Sequence, residues 1–264
     1  MNKHSYIRII SLVPSLTETL CDFGMQKNIV GCTSFCVEPK SLRTNVQSVG
    51  GTKDANIDKI IALKPTHIIV NTEENTSALI GELNSLANAQ KFQVVETFLD
   101  KPEDNFKTIR TLSEIFLFQK DAENWCLEAE EKLQNLIIKQ RSLAHFSYIY
   151  FIWMNPWMVA GDQTYISRCL ELIGGKNEII TGNEPKDRYP VFNTATLHLK
   201  IPKVCLFSSE PFPFKIRHIE KFEQDAQIKV PTLKVDGQAL SWYGSRFTKT
   251  ISYLEILREK IDHI

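Results

Sequence analysis

The chain has 264 residues, enough for one large core or two small ones, and its 43% hydrophobic and 23% charged residues are those of an ordinary globular protein. Its 31 basic and 31 acidic residues cancel, so nucleic acid and anionic membrane are not expected as partners. No stretch approaches the roughly 20 apolar residues of a membrane span, and membrane insertion is not expected.

Lys3, His4 and Arg8 precede an apolar run, Ile9 to Val13, that Pro14 interrupts. A signal-peptide core needs roughly 7–15 apolar residues. As written, the chain is expected in the cytoplasm; removal of an export signal would place it in the periplasm or at the cell surface. Residues 7–13 are apolar and β-branched and predict a buried strand; 17–23 predict a helix with Gly24 as its stop. Strands are expected at 28–33, 67–71 and 92–96, and helices at 57–63 and 77–87. Such alternation is the pattern of an α/β domain with a mainly parallel sheet. From about Pro102 to Ala144 the pattern is wholly helical. There Ala122, Trp125, Ala129, Leu133 and Leu136 line one face of a long amphipathic helix. At about 1.5 Å per residue, two dozen residues span roughly 35 Å. A strut between two lobes is therefore expected, with residues 1–115 as one lobe, 116–145 as the connecting helix and 146–264 as the other.

β/α alternation resumes at 147–153, and the second half repeats the first. Ser11-Leu12-Val13-Pro14 is answered by Trp153-Met154-Asn155-Pro156, each read as a strand end followed by a helix. The run from Leu20 through Gly24 to Val30 is answered by Leu170 through Gly174 to Ile180, and 63–71 by 199–207. Two such lobes are expected to leave a cleft between them, where ligands sit.

Ligands of parallel α/β sheets bind outside the carboxyl ends of the strands, so the loops there carry the candidate residues. In the first half these include Ser15, with Ser15 or Thr17 alternatively a helix cap and Glu18 in the first turn. The Gly50-Gly51-Thr52-Lys53-Asp54-Ala55-Asn56 stretch reads as a turn and cap more than a phosphate cradle, and Glu74 completes that rim. The second half is aromatic: Trp153 to Met158 with Trp157, Arg188 to Phe192, Ser208 to Phe214 with Glu210, and Ser241-Trp242-Tyr243-Gly244-Ser245-Arg246. Each alone would be ordinary core, but four aromatic loops at one end of one lobe suit a large planar ligand. No catalytic residue is assigned, because the histidines stand apart from these loops save His218, just beyond one. No nucleophile elbow and no His-Glu-x-x-His motif is present. The six cysteines are scattered as buried free thiols are, which fits a reducing compartment. Cys32 and Cys36 form the only close pair, without a second pair or a nearby histidine for zinc, so no metal site is assigned.

The opening Ile10 to Glu18 run, Val49-Gly50-Gly51-Thr52, Ala62-Leu63-Lys64-Pro65 and the closing Gly244-Ser245-Arg246 resemble the helical-backbone metal receptor superfamily. Its members are ABC-importer substrate-binding proteins for cobalamin, siderophores and haem, and the resemblance covers nearly the whole chain. The Trp-x-x-Pro-Trp-Met, Ser-Ser-Glu-Pro-Phe and Ser-Trp-Tyr-Gly-Ser-Arg runs are similar to cobalamin-binding-type members without a signal peptide. The resemblance implies two Rossmann-like lobes joined by one long rigid helix, the class III architecture. It implies a monomer that is not an enzyme, has no cofactor of its own, and binds a metal chelate. By position, Cys36, Thr52, Lys53, Trp153, Asn155, Tyr189 and Trp242 would touch that ligand, together with the loop candidates Phe192, Glu210, Tyr243 and Arg246. Asp58 would face an ABC permease, while Ala195 stands where the second lobe's acidic residue belongs. The alternatives are a cytosolic chelate carrier or sensor without a permease, and an enzyme acting on a tetrapyrrole or metal chelate.

Overall fold

The computed structural model describes residues 6–42, 44–182 and 187–264; Lys3 and His4 lie outside them. The described residues form two compact units. The first holds the described residues up to Leu99, with Glu103–Glu128 and Tyr243–Arg246; the second holds Asp100–Pro102, the described residues from Ala129 to Trp242, and Phe247–Ile264.

The first unit is built on a five-stranded sheet of β1 (Ile9–Ser11), β2 (Ile29–Cys32), β3 (Gln47–Ser48), β4 (His67–Asn71) and β5 (Gln93–Thr97), in the order β3-β2-β1-β4-β5. Every pairing in it is parallel. Helices α1 (Pro14–Asp22), α2 (Ile57–Ala62) and α3 (Ser77–Gln90) connect the strands. Continuous apolar strands of this kind need cover on both faces. Ile10, Leu12, Ile68 and Val70 accordingly pack with Ile60, Leu79, Ile80 and Leu83 in one core.

Pro14 opens α1 rather than standing before it. Its missing N–H costs nothing at the first helical position, where that group has no partner within the helix. The N-cap is Val13, which makes no side-chain cap, so the expectation that Ser15 or Thr17 caps this helix is corrected: both lie inside it, buried. Thr17 and Thr19 turn their hydroxyls back onto the carbonyls of Val13 and Ser15, each at 2.9 Å.

The helical run after residue 102 is also two elements, α4 (Asp104–Phe116) and α5 (Gln119–Gln140). Leu117 takes φ 65° between them and ends α4 in the left-handed region. On α5 the buried stripe is Ala122, Cys126, Ala129, Leu133 and Leu136, with Trp125 half-buried at its margin. The division between the units falls within α5.

The second sheet contains β6 (Phe146–Trp153), β7 (Met158–Ala160), β8 (Gly175–Asn177), β9 (Val204–Ser208) and β10 (Thr232–Val235). Strands β8, β6, β9 and β10 repeat the order β2-β1-β4-β5 of the first sheet, all in parallel. The repeat is close at Gly24 and Gly174, which end corresponding helical segments at φ 78° and 81°. It slips directly afterwards. A single 3-10 turn, Gln26–Asn28, precedes β2, whereas β8 starts immediately after Gly174.

Pro156 does not start a helix as Pro14 does. Asn155 adopts φ 62° and the chain folds back as β7, antiparallel to β6, before α6 (Tyr165–Glu171) begins. Helices α7 (Ile216–Ala226), α8 (Gly237–Ser241) and α9 (Phe247–Asp262) complete the unit. Among the described residues, no helix is long and apolar enough to cross a membrane.

Candidate functional site

In the first unit Asn75, which the sequence places only on the rim beside Glu74, organises the strand ends. Asn75, buried just after β4, donates from Nδ2 to the carbonyls of Leu12 at 3.1 Å and Thr52 at 2.7 Å. Its Oδ1 accepts the Asn71 N–H at 2.8 Å. One amide thereby fixes the loop after β1, the Gly51–Thr52 turn and the end of β4. Asn71 Oδ1 in turn accepts the N–H groups of Glu73 and Glu74, at 2.9 and 3.2 Å. This Asx-type turn sets Glu74 in place, and the only signal for it in the sequence is the Asn71/Asn75 spacing.

The Glu74 carboxylate accepts the phenolic O–H of Tyr243 at 2.5 Å. Burial and the adjacent Glu74 charge hold the Tyr243 phenol well above its ordinary range, so it stays a donor. Arg246 meets Glu18 through two hydrogen bonds, 2.7 and 2.9 Å, with side-chain exposures of 13% and 6%. Glu18 therefore neutralises a guanidinium rather than complementing the start of α1. The segment between these two anchors is held by Gly244 N–H to Asn105 Oδ1 at 2.5 Å and by Ser245 N–H to Thr19 Oγ1 at 3.0 Å. At Gly244, φ is 83° and a Cβ would collide with Thr19 Oγ1, so glycine is required. Tyr243 and Arg246, expected among the second lobe's aromatic loops, belong to the first unit; that expectation is corrected.

Cys36 is buried against Thr17 and Thr33, Thr52 is half-buried, and Lys53 and Asp58 are exposed.

In the second unit Glu210 follows β9. Its Oε1 accepts Trp242 Nε1–H at 2.8 Å and Ser241 O–H at 3.3 Å. Burial raises the Glu210 pKa against these donors, and Asp236 adds to the rise. Close backbone approach brings α8 to this point, because a Cβ on Gly237 would strike Ser208 and Glu210. Trp153, at the end of β6, is 41% exposed and lies edge-on to Phe212, with centroids 5.5 Å apart at 70°. Phe212 was not singled out by sequence, although it stands in the Ser-Ser-Glu-Pro-Phe run. Asn155 is exposed at the hairpin turn, and Tyr189 is half-buried.

Two aromatic candidates point elsewhere. Trp157 is buried, stacks parallel to Phe214 at 6.1 Å and donates Nε1–H to Asp225 Oδ2 at 3.1 Å. Phe192 packs edge-on against Phe151 at 5.5 Å. Both belong to the packing around Phe151, Phe207 and Phe222, so they support the unit from within rather than offering a ligand-facing surface. The described residues contain no group of three or more His, Cys, Asp or Glu able to hold a metal ion.

Two α/β units with mainly parallel sheets of repeated strand order define the class III periplasmic binding protein fold. The chain belongs to the periplasmic binding protein family of helical-backbone metal receptors, whose sequence profile matches residues 9–230. This is a family of substrate-binding proteins, not of enzymes.

An uncharacterized ABC transporter substrate-binding lipoprotein of Bacillus subtilis is 25% identical over 174 residues, which are 64% of this chain and 54% of that protein. The chain thus spans about half the length of this relative. A vitamin B12-binding protein of Vibrio cholerae is 26% identical over 203 residues, 77% of this chain and 70% of that one. The periplasmic heme-binding protein RhuT of Roseiflexus sp. RS-1 shares the fold with a TM-score of 0.82 at 15% identity, over 97% of this chain and 98% of that structure.

Proposed function

We propose that this chain is the substrate-binding protein of an ABC importer, or derives from one, and that it holds a metal chelate of the cobalamin type. Relatives named for vitamin B12 and for haem support the chelate class. The observation that carries the reading is the exposed Trp153, backed edge-on by half-buried Phe212, at the strand ends of the second unit. An aromatic face held open to solvent on a packed scaffold presents area to a large flat ligand with little entropy left to lose. Trp242, buried like Trp157 but held by Glu210 beside the end of β9 rather than in the phenylalanine core, is the second aromatic of the reading. Thr52, Lys53, Glu74, Asn155, Tyr189 and Tyr243 are retained as proposed contacts; Cys36, 1% exposed and enclosed by Thr17 and Thr33, is not.

Asp58, exposed on α2, is the proposed point of contact with a permease. Ala195, also exposed, offers no charge at the second position, which favours as a second reading a chelate carrier without a permease. The relatives are named as periplasmic proteins or as a lipoprotein, and support an extracytoplasmic place more than a cytoplasmic one.

Tryptophan-fluorescence titration with cobalamin, haem and a ferric siderophore in parallel tests the proposal. Saturable one-to-one quenching by one of them, corrected for ligand absorbance, is expected. Absence of binding by all three overturns it.

A further inference from the structure

The sulfur chemistry of the first unit is not used by chelate binding. Cys32 ends β2, and Cys36 follows four residues later in the loop. The turn between them is closed by Cys36 N–H to Thr33 O at 3.1 Å. Both side chains are buried, four residues apart across that one turn. The hydroxyl oxygens of Thr17 and Thr33 lie 3.2 and 3.3 Å from Cys36 Sγ. One sulfur thus lies against two hydroxyls, with a second buried thiol at the other end of the same turn. We propose that Cys32 and Cys36 form a modification site, a dithiol that hydrogen peroxide oxidises reversibly to an intramolecular disulfide.

The remaining cysteines with perturbed acidity differ in kind. Hydrogen bonding from Cys32, and then from Thr17 and Thr33, brings the Cys36 thiol down to about 7 against its burial. Burial drives Cys21 and Cys205 up to about 12, with Asp22 adding to the rise at Cys21. Near neutral pH, therefore, Cys36 is the nucleophile. A sulfur this enclosed admits only a small oxidant, and peroxide is close to water in size.

The chemistry balances in two steps. Cys36 thiolate attacks one peroxide oxygen; the S–O bond forms, the O–O bond breaks, and hydroxide leaves to take up the thiol's proton as water. Cys32 sulfur then attacks Cys36 sulfur. The S–S bond forms, the S–O bond breaks, and the second oxygen leaves as water with the Cys32 proton. Two thiols and one peroxide become one disulfide and two waters. The proposal is independent of the chelate reading.

The native wild-type chain tests it. Trypsin cleaves after Lys27 and Lys40, and the peptide between, residues 28–40, contains Cys32 and Cys36 and no other cysteine. After peroxide treatment, alkylation and digestion, that peptide is expected to lose two hydrogens and to resist alkylation. Dithiothreitol given before alkylation restores both thiols. The yield is expected to rise as pH passes upward through about 7. Cys32→Ser is expected to stop at a sulfenic acid on Cys36, trapped by dimedone, and this arm is read only if the variant folds. In wild type, a peptide that stays fully alkylatable while peroxide oxidises methionines elsewhere, or one that gains oxygen without losing hydrogen, overturns the proposal.

Discussion

Tyr243 and Glu74 stand 169 residues apart in sequence, yet the buried phenol of one donates to the half-buried carboxylate of the other at 2.5 Å. Tyr243→Phe removes one donor to the Glu74 carboxylate, a loss of about 1.5–3 kcal/mol for a hydrogen bond to a charged group. The urea midpoint is expected to fall. An unchanged midpoint would mean that the bond contributes nothing net.

The Glu18–Arg246 pair calls for a different experiment, because breaking a buried ion pair and replacing it are not equivalent. Glu18→Gln or Arg246→Met alone strands a charge and is expected to destabilise by about 3–5 kcal/mol. The double variant is expected to lose much less than the sum of the singles. Additivity in a denaturation double-mutant cycle would show that the two charges do not act as a pair.

Glu210 gives the chain a pH signature of defined sign. Its folded pKa is raised by burial, while the unfolded glutamate titrates at about 4.3. Between the two values the unfolded chain binds fewer protons than the folded one, so this group's contribution to stability falls as pH rises through that window, then levels off. Relative to Glu210→Gln, wild type should therefore lose stability upward from about pH 4. Denaturation series on both proteins measure the difference; a flat difference, or one of opposite slope, refutes the assignment.

The two tryptophans of the Trp-Met-Asn-Pro-Trp run are expected to separate binding from stability. Trp153→Ala, at an exposed aromatic, is expected to weaken chelate binding by about 2 kcal/mol or more and to leave the melting temperature near wild type. Trp157→Ala, in the core, is expected to destabilise by about 3–5 kcal/mol. Trp242→Ala should behave in binding as Trp153→Ala does. Unchanged affinity in both Trp153→Ala and Trp242→Ala would remove the proposed site.

What the sequence determined by itself lies in local periodicity and punctuation. Apolar β-branched runs such as 67–71, alternating with amphipathic helices, specified parallel α/β architecture because burial on both faces demands that composition. The matched glycines at 24 and 174 exposed the internal repeat, since both terminate a helical segment at positive φ. The tertiary structure alone decided what each aromatic loop does. Similar Pro-containing strand ends diverge, Pro14 into a helix and Asn155-Pro156 into a hairpin, according to the partner available across the sheet. Trp153 and Trp157 are four residues apart, yet one meets solvent and the other a phenylalanine core, and no spacing rule distinguishes them. Tyr243 to Arg246 join the first unit because Glu74, Asn105, Thr19 and Glu18 receive them there. Those partners lie 139 to 228 residues away; contacts at such separations leave no periodic trace in a single sequence, because only the folded chain brings the groups within hydrogen-bonding reach.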